Sequence, residues 1–324
     1  MRVLVYLHAY PPLRWLGGEL MTARLLTALV DAGHTVTVLC RGAEHRWRYD
    51  GVEVVPRHKA VTSASLGGAD LFVTHPEIAA YYYPRLAGMP YVGIVHNLSG
   101  FTVDGLKRYR PNAVVANADA TAVDLAGLRL PVTTIHPPTI VRPEPPGVRG
   151  DFVTLVNMSL AKGADMFYAM AAARPGVQFL GVLGGHGEQM SWQDPMPPNV
   201  TVVGQTPSMG VVYAMSRAVV MPTVTETYGM VAAEALAHGV PVIANPLPGL
   251  REAAGDAAVW VQRTNLDGWL AALDDLMTDA GHARAAAAAA ERRRFLLART
   301  ADDLARWVRL AEETAGLAGK SISA

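Results

Sequence analysis

The 324-residue chain holds a single cysteine, Cys40, which excludes an intrachain disulfide and fits a reducing compartment. Cys40 closes the apolar run TVTVLC and reads as a buried strand thiol rather than a nucleophile. Net charge is missing as well. Lys plus Arg and Asp plus Glu both count 28, so no global field recruits nucleic acid or an anionic membrane, and any such contact would be a local patch. Long hydrophobic runs are absent: the opening VLVYLHAYPP is broken by proline too early for a signal peptide or a membrane span, so a cytoplasmic location is expected. No Asp-x-Asp, His-Glu-x-x-His or paired-cysteine motif occurs, and a catalytic metal therefore has no visible home. A Gly-x-Ser-x-Gly elbow is lacking too, which leaves Ser/His hydrolase chemistry without a starting point. Neither half carries Gly-x-Gly-x-x-Gly after its first strand, which counts against a nicotinamide-dependent dehydrogenase.

What is present is a globular, turn-rich composition, 51% hydrophobic and 17% charged with 30 Gly and 22 Pro, on a chain long enough for two domains. Short apolar runs alternate with helical stretches: RVLVYLH, a GGE-led helix over about 19–32, and HTVTVLC, followed by VEVV, DLFVTH, YVGIVHN, AVVAN and VTTIHPP. That alternation is the signature of βαβ units on a parallel sheet, and the first half reads as one doubly wound domain. Residues 137–150 hold five prolines and no periodicity, so they form neither helix nor central strand. The alternation then restarts with FVTLVNM, VQFLGVLGG, NVTVVGQ, AVVMP and VPVIAN, and from about Leu266 the tail is almost wholly helical. The predicted organisation is an α/β chain of two doubly wound, Rossmann-like domains facing across a cleft. Residues 1–142 form the first domain, 143–150 the linker and 151–304 the second, with the last helix, about 305–324, packing back onto the first.

The stretch PTVTETYGMVAAEALAHGVPVIAN places Glu226 at a loop tip and Glu234 within the following helix. On one helix, eight residues would separate the carboxylates by about 12 Å of rise and about 80° of rotation. That exceeds the roughly 5–9.5 Å pair of a glycoside hydrolase. The two more readily touch different parts of one elongated ligand. Between them the amides of Tyr228, Gly229, Met230 and Val231 open a helix N-terminus, a ready anion site, and Gly229 admits close backbone approach. Carboxylates for sugar hydroxyls and amides for phosphates suit a sugar–phosphate–ribose molecule.

ETYGMVAAEALAHGVPVIA closely resembles the E-x7-E signature of retaining glycosyltransferases of the GT-B fold, most like family GT4. The resemblance implies that Glu226, with the amides of Tyr228 and Gly229, holds the transferred sugar. It gives the diphosphate to Met230 and Val231 and the ribose to Glu234, for which the alternative is a solvated helix residue. Gly17 and Gly18, just before the first helix, match the glycine pair that approaches the donor phosphate; alone, such a pair is equally a tight turn. Lys162 in NMSLAKGAD matches the Lys-Gly whose ammonium neutralises the leaving diphosphate, while Asn157 stands where many members carry arginine, removing one fixed positive charge. His96, at the end of YVGIVHN, matches a histidine near the transferred sugar. His136 reads as a turn residue before the linker, and His8 and His186 as strand-end residues.

The implied function is a retaining, metal-independent transfer of sugar from a nucleoside diphosphate to an acceptor hydroxyl. No cofactor is expected beyond the donor as co-substrate. The acceptor stays open among saccharide, lipid, small molecule and protein. Basic-aromatic mixtures at 41–51 and 77–86 leave peripheral membrane contact open. Two rival readings share the fold, a nucleotide-sugar epimerase and a non-catalytic partner subunit.

Overall fold

A computed structural model describes residues 1–57, 68–81, 88–141, 150–185, 187–192 and 195–321. The chain divides into two compact units, one of residues 1–138 with 300–324 and the other of residues 139–299. The expected linker at 143–150 lies, except for Gly150, outside the described residues, as do His186 and part of 77–86.

In the first unit the strands are β1 (Arg2–Leu7), β2 (Thr35–Cys40), β3 (Trp47–Tyr49), β4 (Val52–Pro56), β5 (Leu71–Thr74), β6 (Tyr91–Val95), β7 (Ala113–Ala116) and β8 (Val132–Thr134). They form one sheet in the order β3-β4-β2-β1-β5-β6-β7-β8. All neighbours pair parallel except β3, which runs antiparallel to β4 at the edge. The strand β3 falls inside 41–51, expected as loop or helix end, and its three residues take their conformation from pairing Trp47–Tyr49 with Val52–Val54. The central strands are apolar without alternation, as a parallel sheet covered on both faces requires: every residue of β5, β6 and β7 is buried. Cys40 ends β2 fully buried, and burial pushes its thiol pKa up, so it is a packed thiol.

Helix α1 (Gly17–Asp31) covers this sheet through Met21, Leu25, Leu26 and Leu29. Gly17 and Gly18 are its first two residues, not the loop before it as expected, because Leu16 already takes the extended N-cap conformation.

In the second unit the strands β9 (Phe152–Val156), β10 (Gln178–Val182), β11 (Val200–Val203), β12 (Ser216–Met221), β13 (Val242–Ala244) and β14 (Ala258–Trp260) form a parallel sheet in the order β11-β10-β9-β12-β13-β14. Its core gathers Phe167, Tyr168, Phe179 and Trp269. The helices that bear on function are α2 (Ala164–Ala173), α3 (Met209–Met215), α4 (Met230–Ala237) and α5 (Pro248–Ala254).

A single helix, α6 (Asp279–Ser321), belongs to the second unit up to Arg299 and to the first from Thr300. Its later part is fixed to the first unit by Trp307, fully buried, whose indole donates to the Leu25 carbonyl at 2.8 Å. His136, expected as a turn residue, is instead a buried partner of this segment. Its ring Nδ1 lies 2.7 Å and its backbone N–H 3.2 Å from the Asp303 carboxylate, which is itself 1% exposed and also accepts from Arg306 at 3.0 Å. A buried carboxylate requires such partners, and only the tertiary fold supplies them.

Candidate active site

Open parallel sheets bind ligands beyond the carboxyl ends of the strands where the strand order reverses. In the second unit that reversal lies between β9 and β12. The segment after β9 carries Asn157 and Lys162; the loop after β12 carries Glu226.

These two segments are joined residue by residue. Leu160–Lys162 forms one 3-10 turn closed by Gly163 at φ 91. A β-carbon on Gly163 would lie 2.6 Å from the Pro222 carbonyl oxygen, so only glycine lets the turn approach the β12 loop. The Ala161 carbonyl then accepts from the Val224 amide at 2.9 Å and the Thr223 hydroxyl at 3.0 Å. The Thr223 carbonyl is held in turn by the Asn245 side chain at 3.0 Å. Through this stitching the Lys162 ammonium reaches the Glu226 carboxylate at 2.6 Å, both partly shielded from solvent.

The next turn of chain opens α4. Gly229 is its N-cap at φ 103, left-handed backbone that an L residue rarely adopts, and a β-carbon there would strike Leu250 of α5 at 2.4 Å. The N-terminal amides of α4, including those of Met230 and Val231, begin directly after it and carry the partial positive charge of the helix end. Tyr228 contributes only its backbone to this surface. Its side chain is buried, its ring lies 5.4 Å beneath the Arg299 guanidinium, and its hydroxyl accepts from Arg299.

Glu234 is not a solvated helix residue. It is 8% exposed and its Oε2 accepts from the Tyr213 hydroxyl of α3 at 3.0 Å. Tyr213 is fixed in turn against the His238 ring, 4.8 Å between centroids, while His238 Nδ1 donates to the Glu234 backbone carbonyl at 2.7 Å. Sequence reading missed Tyr213, which lies in the 208–217 helix it expected; a lone tyrosine in an apolar helix carries no signal of its carboxylate partner.

Asn157 has φ 71, a left-handed position that asparagine tolerates better than most residues. Its side-chain carbonyl accepts from Gln189 at 2.9 Å, and Gln189 accepts from the Gly184 amide beyond β10 at 2.7 Å. A β-carbon on Gly184 would meet the Asn157 side chain at 2.4 Å. Asn157 thus joins the ends of β9 and β10 as a neutral linker. Gln189 was also missed.

The first unit has its own cluster at its own reversal, between β1 and β5. His96, one residue past β6, sits with Nε2 2.9 Å from Nε2 of His75, one residue past β5. The Thr22 hydroxyl lies 3.1 Å from the first-unit His75 nitrogen and 3.2 Å from that of His96, and donates to the Gly18 carbonyl at 2.9 Å. Gly18 is small for a reason: a β-carbon there would be 3.2 Å from the His96 ring. The structure thus brings Gly18 and His96, both chosen from sequence, into contact and adds Thr22 and His75. Burial lowers the pKa of both imidazoles, His75 to about 4 and His96 well below the ordinary value, with His75 adding to the effect on His96. Both rings are neutral at pH 7. His8, at the end of β1, stacks edge-on to Tyr6 and its carbonyl accepts from the Gly42 amide.

The profile of the family described as "Glycosyl transferases group 1" matches residues 152–279, which span β9 to the first residue of α6. The match spans less than half of the chain and lies wholly within the second unit. Within it lie Asn157, Lys162, Glu226, Gly229 and Glu234. Over 88 residues this chain is 42% identical to a D-inositol 3-phosphate glycosyltransferase of Stackebrandtia nassauensis, and over 104 residues 38% identical to the enzyme of that name from Rhodococcus jostii. Those stretches cover 26% and 31% of this chain but only 20% and 23% of the relatives. Structural likeness is broader. Anabaena HepE, solved with UDP-glucose, superposes with a TM-score of 0.76 at 14% identity, covering 98% of this chain and 99% of that one. Sucrose-phosphate synthase of Thermosynechococcus elongatus gives 0.70 at 16% identity, with 99% and 98% covered. At such identities the likeness establishes the fold, the GT-B class of two Rossmann-like domains, with the group 1 match lying in the second.

Proposed function

We propose that this chain is a glycosyltransferase that takes a sugar from a nucleoside-diphosphate donor and delivers it to an acceptor hydroxyl with retention at the anomeric carbon. The observation that carries the reading is the Lys162–Glu226 pair at the strand-order reversal of the second unit, directly before the N-terminus of α4. A cation and a helix N-terminus suit a diphosphate, and a carboxylate suits sugar hydroxyls. Structural neighbours solved with UDP-glucose, or with UDP and GlcNAc, support a nucleotide-sugar donor.

In this reading Lys162 and the amides of Met230 and Val231 stabilise the diphosphate as its bond to the anomeric carbon breaks, which is electrostatic catalysis. Glu226 and the Tyr228 and Gly229 amides hold the sugar, and Glu234, fixed by Tyr213, takes the ribose. The acceptor oxygen forms the new bond to the same carbon, on the same face, and its proton passes to an oxygen of the departing diphosphate. Asn157 keeps the ends of β9 and β10 in place without adding positive charge, so Lys162 is the side-chain cation assigned to the diphosphate. Gly17, Gly18 and His96 keep the donor-side roles that the resemblance implies.

Thermal shift with UDP, GDP, ADP and dTDP tests the reading, since a ligand at 100 times its dissociation constant adds about 2.7 kcal/mol to stability. A shift for one base, followed by release of that nucleoside diphosphate from its sugar donor, is expected. No shift for any of the four would overturn it. The sequence offers no metal-binding carboxylate motif, and turnover is accordingly expected to survive exhaustive EDTA treatment.

A further inference from the structure

Two histidines end adjacent parallel strands in the first unit, and their side chains meet. His75 follows β5, His96 follows β6, and the rings stand edge to face with centroids 4.4 Å apart and planes at 82°. The two Nε2 atoms are 2.9 Å apart, hydrogen-bond distance. From this geometry we infer that His75 is a positioning residue for His96, fixing which nitrogen of that ring carries the proton.

The reason is the shared proton. Two lone pairs facing each other at 2.9 Å repel, and two N–H groups collide, so one ring must donate from Nε2 and the other accept there. Neutral imidazole has one proton, and the rings are therefore locked as opposite tautomers. Charging both is opposed by burial and by their mutual repulsion.

Glu77 decides which ring donates. Its Oε1 lies 3.9 Å from Nδ1 of His75, while its Oε2 accepts from Thr102 at 3.4 Å. A carboxylate beside Nδ1 favours a proton there over a lone pair. His75 then carries Nδ1–H and presents its Nε2 lone pair, and His96 donates Nε2–H toward it. Nδ1 of His96 is then the unprotonated nitrogen of that ring, which makes it unsuited to acting as an acid. Glu19 and His8 are the other titratable groups whose charges act on His75, Glu19 favouring and His8 opposing a charged ring.

The consequence for catalysis rests on the reading of His96 as a residue near the transferred sugar; the tautomer itself does not. Long-range proton–nitrogen NMR on the full chain labelled with ¹⁵N-histidine, at pH 8, reads the tautomers directly. The expected result is His75 protonated at Nδ1 and His96 at Nε2. Removal of the partner in His75→Ala should abolish the single tautomer at His96 and lower kcat about tenfold, with affinity for the nucleoside diphosphate unchanged. His75→Gln, whose amide oxygen reaches the same place, should recover most of the loss. The same tautomer on both rings in the wild-type protein, or an unaltered His96 tautomer in His75→Ala, would overturn the inference, and the wild-type measurement stands even if that variant fails to fold. Full turnover in His96→Ala would instead remove His96 from the sugar site and leave the tautomer result to decide the hold of His75.

Discussion

The Lys162 ammonium and the Glu226 carboxylate lie 2.6 Å apart although 64 residues separate them in the chain. Each is a group that the proposed donor needs, and each neutralises the other. A diphosphate approaching Lys162 therefore competes with Glu226 for the same ammonium, and a sugar hydroxyl competes with Lys162 for the same carboxylate.

Replacing either member leaves its partner without this counter-ion as well as removing a donor contact. Lys162→Ala is expected to lower turnover by a few kcal/mol of barrier, about 10²-fold or more, with the protein still folded. Glu226→Gln should leave affinity for free nucleoside diphosphate almost intact while turnover falls, since its contact exists only when the sugar is present. Steady-state kinetics set beside calorimetric titration of both variants check this. Unchanged kinetics for Lys162→Ala would take it out of the site.

Tyr213→Phe separates the ribose end from the sugar end. It deletes one hydroxyl that donates to a buried carboxylate, a hydrogen bond to a charged group worth about 1.5–3 kcal/mol. If Glu234 holds the ribose, affinity for the free nucleoside diphosphate should fall roughly tenfold in Tyr213→Phe and by a similar factor in Glu234→Gln, with less than additive loss in the double variant. Additive losses would show that the two residues act apart.

Acid should destabilise the first unit. An unfolded histidine takes up a proton near pH 6.5, whereas folded His75 does so only near 4, and His96 is lowered as well. A depressed folded pKa means that the unfolded state binds protons first as pH falls, so stability is full above about 6.5 and declines toward 4. His75 alone accounts for about 2 kcal/mol by pH 5. Glu77, whose pKa burial raises, acts oppositely, because the folded state holds its proton more tightly. Urea titrations between pH 8 and 4.5 should show a shallower pH dependence for His75→Gln than for the wild type; parallel curves would contradict the assignment.

Asp303→Ala tests how the last helix is held to the first unit. The substitution leaves the His136 amide, the His136 ring and Arg306 without a shared buried acceptor, and about 3 kcal/mol of stability should be lost. Trp307 reports the same segment through its buried indole. A denaturation midpoint within error of the wild type would show that apolar packing around Trp307 suffices.

The sequence by itself determined the architecture and singled out several residues that the fold then brings together. Parallel strands covered on both faces must be continuous apolar runs, and YVGIV or AVVA is legible for that reason. The three-residue strands Trp47–Tyr49 and Ala258–Trp260 were not legible, since their conformation comes from pairing with β4 and β13. The short helices Gly100–Tyr109, Asp119–Leu125 and Pro248–Ala254 also went unmarked; the last is needed because its Leu250 and Gly249 back the loop that presents Gly229. Spacing picks out Glu226 and Glu234, and Lys162 comes only from the resemblance to the E-x7-E glycosyltransferases. That Lys162 pairs with Glu226, that Glu234 is buried against Tyr213, and that His96 faces His75 depends on strand order. Each pair joins segments 21 to 64 residues apart, and only the side-by-side placement of β9 with β12 and of β5 with β6, together with the packing of α3 near α4, brings them within hydrogen-bond distance.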